Sequence, residues 1–232
     1  MSGDAGPDRV EAPRWLAEHE QRFRESGVAP VVPRLAATVV LLRDSALGLE
    51  VYAQRRAATM AFAPGMYAFP GGSVAPVDAE PLTGPDADPV VAEQLGLPLE
   101  SARVVLRAAV REVAEETGVR LSTAQLAPWA RWLTPEFEPR RFDTFFFLAA
   151  LPANQQPADA AGEADHALWL APAEAPGLPM LPPTRHTLAE LARFPDVVSA
   201  IAAAAGRDLS EPVRPVVEVD ADGVWLRLRG PA

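Results

Sequence analysis

Arg111-Glu112-Val113-Ala114-Glu115-Glu116-Thr117-Gly118 ends the clearest helical stretch of the chain, Glu100 to Thr117. At about 100° per residue, Glu112, Glu115 and Glu116 fall at i, i+3 and i+4, so three carboxylates share one face. Leu106, Val110 and Val113 lie on an adjacent arc and can anchor that helix in a core. Arg111 precedes Glu115 by one turn, within reach of its carboxylate. Gly118 stands where a left-handed helix cap belongs. Three like charges on one face repel. Surface helices usually interleave basic residues to relieve this, whereas Ala108 and Ala109 lie one turn earlier here. A hard divalent cation would remove the repulsion, bridge diphosphate oxygens and lower the pKa of an attacking water. A solvated acidic face is the plain alternative.

Outward from this helix, the chain alternates strands and helices without a regular repeat. A helix is expected over Pro13 to Glu25, a buried strand over Leu35 to Leu42, and a second strand from Leu49 forming a hairpin with it. Phe69-Pro70-Gly71-Gly72 closes a Gly/Pro-punctuated segment around a short strand at Met66 to Phe69. Ser73 to Pro98 reads as a long loop with a helical turn or two near Val90 to Leu95. Strands follow at Ala127 to Leu133, Phe142 to Leu151 and Ala167 to Leu170. Helices follow at Thr184 to Phe194 and Val197 to Gly206, and a terminal hairpin turns at Ala221-Asp222-Gly223. The fold class expected is α+β, an α/β/α sandwich with a mixed sheet between helices. Residues 1–12 read as a disordered tail and 13–232 as one domain. Within that domain the core spans about 34–175, an insertion about 73–98, and a C-terminal extension about 176–232.

Composition narrows the function classes. The net charge of -10 repels nucleic-acid backbones and anionic membranes, so neither is expected as a partner. Cysteine is absent, which rules out disulfides and thiol nucleophiles. That absence, with no apolar signal core at the N-terminus, points to a cytoplasmic protein. Lysine is absent too, so an individual arginine says less about function than usual.

Arg111-Glu112-Val113-x-Glu115-Glu116-x-Gly118-Val119 resembles the second half of the Nudix box, G-x5-E-x7-R-E-U-x-E-E-x-G-U, with U a bulky aliphatic residue. Phe69-Pro70-Gly71-Gly72 resembles the loop that opens it. The resemblance implies a Nudix fold and hydrolysis of a small-molecule diphosphate substrate with Mg2+ or Mn2+. It implies that Glu112, Glu115 and Glu116 bind the metal, that Arg111 orients them, and that Gly72 is the first glycine of the box, beside Gly71 in the substrate loop. The pattern departs at its first glutamate. Eight positions before Arg111 stands Arg103, and Glu100 is the nearest acid.

A narrower resemblance joins Phe62-Ala63-Pro64-Gly65, a long insertion inside the box, Trp132-Leu133-Thr134-Pro135 and Pro139-Arg140-Arg141-Phe142-Asp143-Thr144. It points to the branch that cleaves coenzyme A and acyl-CoA to 3',5'-ADP and phosphopantetheine products. ADP-ribose or another nucleoside diphosphate derivative is the alternative substrate. A non-catalytic nucleotide-metabolite sensor is the alternative of another class, motivated by the displaced glutamate. Arg140 and Arg141 are candidate phosphate clamps, since the guanidinium fork suits such oxygens. Glu163 and Asp165, or Glu136 and Glu138, are candidates for a further carboxylate, leaving the general base open between these and Glu112. The rings of Phe142, Phe145, Phe146 and Phe147 are expected in the core, and the resemblance leaves room for a homodimer.

Overall fold

A computed structural model describes residues 9–60, 63–80, 88–158 and 164–229. Ten strands and five α-helices follow in this order: β1 (Arg9–Ala12), α1 (Arg14–Ser26), β2 (Arg34–Ser45), β3 (Gly48–Arg56), β4 (Tyr67–Ala68), β5 (Gly71–Ser73), α2 (Pro89–Gln94), α3 (Leu99–Thr117), β6 (Ala127–Leu133), β7 (Phe142–Ala150), β8 (Ala164–Leu170), α4 (Pro182–Leu191), α5 (Val197–Ala204), β9 (Arg214–Val219) and β10 (Val224–Arg229). A 3-10 turn at Pro76–Ala79 lies between β5 and α2. No helix among the described residues is long and apolar enough to cross a membrane.

Residues 13–232, expected to form one domain, fall with the rest of the chain into two compact units. The larger comprises Leu35–Ala130 and Thr144–Ser210; the smaller comprises Met1–Arg34, Arg131–Asp143 and Glu211–Ala232. A seven-stranded mixed sheet has the order β4-β3-β2-β7-β6, with β5 also pairing β2 and β8 also pairing β3. The β2–β3 hairpin forms as expected, Leu42 facing Val51. Val39 and Leu41 point to one face of β2, Val40 and Leu42 to the other, and all four are fully buried. Both faces of this strand are therefore covered, and continuous apolar runs replace the alternation of a half-exposed strand.

Helix α3 covers one face. Ala102, Val105, Leu106, Ala109 and Val113, which fall on one face of the helix, pack with Ala37, Val39 and Leu41 of β2 and with Phe145 and Phe147 of β7. Each large aliphatic side chain so buried contributes roughly 1.5–3 kcal/mol, which fixes the helix's rotation and thereby aims its polar face. Nothing inside α3 breaks it. Gly118, at φ 72°, ends it with its N–H donating to Ala114 O at 3.0 Å. Phe145, Phe146 and Phe147 are buried, as expected.

In the smaller unit, β1, β10 and β9 form an antiparallel sheet in that order. Arg9–Ala12, expected in a disordered tail, form its edge strand, Val10 facing Leu226. Ala12, Leu16, Phe137, Val217 and Val224 make a separate small core.

Candidate active site

The larger unit gathers the glycine strand, the 3-10 turn and the carboxylate face of α3 around one guanidinium. Arg111 donates from Nε to Asp78 Oδ1 at 2.8 Å and from Nη2 to Asp78 Oδ2 at 3.0 Å. Nη2 also donates to Ser73 O at 3.1 Å. Nη1 donates to Glu112 Oε1 and to Glu115 Oε2, each at 2.9 Å. These five bonds match the five N–H donors of an arginine. The expected Arg111–Glu115 contact forms, and the guanidinium pKa rises through the Asp78 hydrogen bonds first and the Glu112 charge next.

Asp78 is the site residue that the sequence reading missed. Its side chain is only 2% exposed and also accepts from Ala75 N at 2.7 Å. It lies six positions after Gly72, where the G-x5-E half of the box places its acid. Counting forward from Gly72 finds it; counting back from Arg111 crosses the extra residues and lands on Arg103. Glu100, the acid nearest that position, is 77% exposed and pairs with Arg103, far from this role. Arg107, buried on α3, donates to Asp78 O and Ala79 O at 3.3 Å each, so the helix also holds the turn by its backbone.

The two glycines are steric requirements. A Cβ on Gly71, at φ 156°, would lie 2.3 Å from Ala37 O. A Cβ on Gly72 would lie 2.5 Å from Glu112 Cδ and Oε1. Gly72 thus lets the Glu112 carboxyl rest directly against the β5 backbone. Burial there pushes the Glu112 pKa up, and the Arg111 charge and hydrogen bond pull against it.

Glu112 side chain is 16% exposed and Glu115 57%, while Glu116 is partly buried. Among the described residues, no three acidic or histidine side chains stand close enough together to hold a metal ion, so the expected three-carboxylate cluster is not assembled. Two of its members do converge, because Glu112 and Glu115 meet the same cationic nitrogen of Arg111. An all-oxygen donor set with two members already sharing one positive atom, and the third on the same helix, fits a hard divalent cation.

The other sequence candidates have the following surroundings. Arg140 and Arg141 belong to the smaller unit. Arg140 is exposed. Arg141 is buried and donates to Thr134 O at 3.1 Å and Val31 O at 2.9 Å. Glu136 and Glu138 are also in that unit. Asp165 is exposed and accepts from Ala58 N at 3.2 Å. Glu163 and Phe62 lie outside the described residues.

Residues 91–191 match the NUDIX domain family model. A crystal structure of a NUDIX hydrolase from Alicyclobacillus acidocaldarius is similar at 28% identity, covering 74% of this chain and 96% of that one, with a TM-score of 0.58. More distant likenesses include a MutT NUDIX hydrolase from Burkholderia pseudomallei, at 20% identity over 69% of this chain and 99% of that one, TM-score 0.48. The NUDIX domain of Shewanella oneidensis NrtR complexed with ADP ribose is similar at 18% identity over 76% and 96%, TM-score 0.47. No curated protein matches. The fold is the Nudix fold, and the likeness to Nudix hydrolases supports an enzyme that is a diphosphatase.

Proposed function

We propose that this Nudix diphosphatase cleaves the P–O–P linkage of a nucleoside diphosphate derivative, with CoA or acyl-CoA as substrate and 3',5'-ADP and a phosphopantetheine as products. Water adds to one phosphorus, the bridging oxygen leaves with the other, and two phosphoryl products result. The single observation that carries the reading is the Arg111 guanidinium, which draws Glu112 and Glu115 onto one nitrogen while Asp78 holds it from behind.

Glu112, Glu115 and Glu116 would hold Mg2+ or Mn2+, as Nudix hydrolases generally require divalent cations. When bound, the ion supplies charge neutralisation at the diphosphate oxygens and a more acidic water. The chain's own contribution is positional. Gly72 leaves the space in which the Glu112 carboxyl lies. Arg111 fixes the direction of Glu112 and Glu115, and Asp78 fixes Arg111. Preorganisation of this kind spares the reaction the cost of collecting charged groups at the moment of bond breaking. All of these residues belong to the larger unit.

The CoA assignment rests on the resemblance of the segments around Gly65 and Pro135 to that branch; ADP-ribose is the competing substrate. Asp78 bonded to Arg111 offers an acid where the box otherwise lacks one, which weakens the sensor alternative, while the interrupted box still motivates it. A panel of CoA, acetyl-CoA, ADP-ribose and dinucleoside polyphosphates, assayed with Mg2+ and with Mn2+, tests the substrate. Release of 3',5'-ADP from CoA supports the reading, and faster turnover of ADP-ribose replaces it. The chemistry is tested by Glu115→Gln and Glu116→Gln, expected to lower kcat by about 100-fold or more with the fold retained. Wild-type rates in both folded variants would refute the site.

A further inference from the structure

The smaller unit carries a half-open pocket of about 250 Å3 between α1, the turn after β6 and β9, its lining drawn from residues of that unit. Arg141 lines it and is 7% exposed. Its Nε and Nη1 donate to the carbonyls of Thr134 and Val31. Among the described residues, no carboxylate pairs with Arg141 and its Nη2 has no hydrogen-bond acceptor. Buried charges are ordinarily matched by an opposite charge, and carbonyl dipoles alone leave the guanidinium's positive charge in place.

The other lining charges do not supply that match. Glu20 is taken up by Arg24 at 2.6 Å. Glu136 is exposed. Arg214 adds a second positive group and, among the described residues, pairs with Glu211 at 3.7 Å across a largely exposed contact. Phe23, Leu133, Phe137 and Val217 give the wall an apolar part beside Thr134. In a chain of net charge -10, a buried unpaired arginine with a second arginine beside an apolar wall is a local exception to the surface charge.

We infer that this cavity binds a small organic anion, a carboxylate or phosphate group on an apolar body about one ring in size, with Arg141 and Arg214 holding the charged end. A cavity of ~150 Å3 accommodates benzene, so the volume here suits a ring and a charged head. The inference does not depend on the proposed diphosphate chemistry.

Isothermal titration of the full chain in chelator tests it with three probes: phenyl phosphate, benzoate and inorganic phosphate. Saturable binding of phenyl phosphate or benzoate at one site per chain is expected, with inorganic phosphate about tenfold weaker for want of an apolar body. Which aryl anion binds tighter identifies the head group. Arg141→Gln, checked for folding by circular dichroism, is expected to weaken binding about tenfold, the worth of a charge-assisted hydrogen bond. Because Arg141 also holds two backbone carbonyls, Arg214→Glu is the second variant, on an exposed side chain, and about threefold weakening is expected. Failure of both aryl anions to bind overturns the inference, and so does wild-type affinity in Arg214→Glu together with a folded Arg141→Gln.

Discussion

Two arginine-centred regions invite comparison, Arg111 on α3 in the larger unit and Arg141 before β7 in the smaller. Both side chains are substantially buried and both spend their donors on protein groups. Arg111 holds three carboxylates and one carbonyl; Arg141 holds two carbonyls and no carboxylate among the described residues. The first is a cation that organises anions. The second is a cation left over after it has organised backbone. The same residue type therefore draws two carboxylates of a candidate site together in one place and leaves an open counter-charge in the other, and only the surrounding acids decide which.

The largest expected effect comes from removing the acid behind Arg111. Asp78→Ala leaves a partly buried guanidinium without its bidentate partner and is expected to cost about 3–5 kcal/mol in urea denaturation. A loss under ~1 kcal/mol, the value of an exposed pair, would erase the contrast between the two arginines. Gly72→Ala comes next. Its methyl group would displace the Glu112 carboxyl, which is expected to reduce kcat about 100-fold, roughly 2.7 kcal/mol, with a smaller change in stability. Wild-type kcat would mean that Glu112 does not need this position.

A pH measurement sharpens the comparison further. The folded pKa of Glu112 is raised by burial. Such a group contributes stability fully below its unfolded pKa, and that contribution is lost as pH rises through the folded value. Without metal, the larger unit should therefore lose stability from the ordinary carboxylate range upward, and Glu112→Gln should flatten that slope. A parallel pH profile in the variant would contradict the assignment. The smallest effect belongs to the edge strand of the smaller unit. Asp220, paired with Arg9, has its pKa lowered to about 2. Its contribution is present above the unfolded value and is lost as pH falls toward about 2. Asp220→Asn should remove only this acid-side dependence.

Much of the larger unit was legible because its signals are local. The apolar spacing of Leu106, Val110 and Val113, the stop at Gly118 and the reach from Arg111 to Glu115 all follow from helix geometry. Asp78 is hard to read from the sequence because its partner lies 33 positions away and the extra residues displace any register counted back from Arg111. Strand β1 escaped for a related reason. Arg-Val-Glu-Ala carries no pattern long enough to announce a strand, and its partners stand near the other end of the chain. The type and neighbours of Arg140 and Arg141 suggest phosphate clamps. The use of Arg141 on two carbonyls depends on tertiary approach, which no local pattern encodes.

The placement of Asp78 before the extra residues also has an engineering consequence. Its grip on Arg111 is closed before the chain sets out toward α3, so the stretch between them can change in length without shifting the register of the acid. Doubling such a connection costs only about 0.6 kcal/mol of closure entropy. A peptide tag or reporter grafted downstream of Ala79 is thus a gentler modification than a single methyl group added two residues after Pro70.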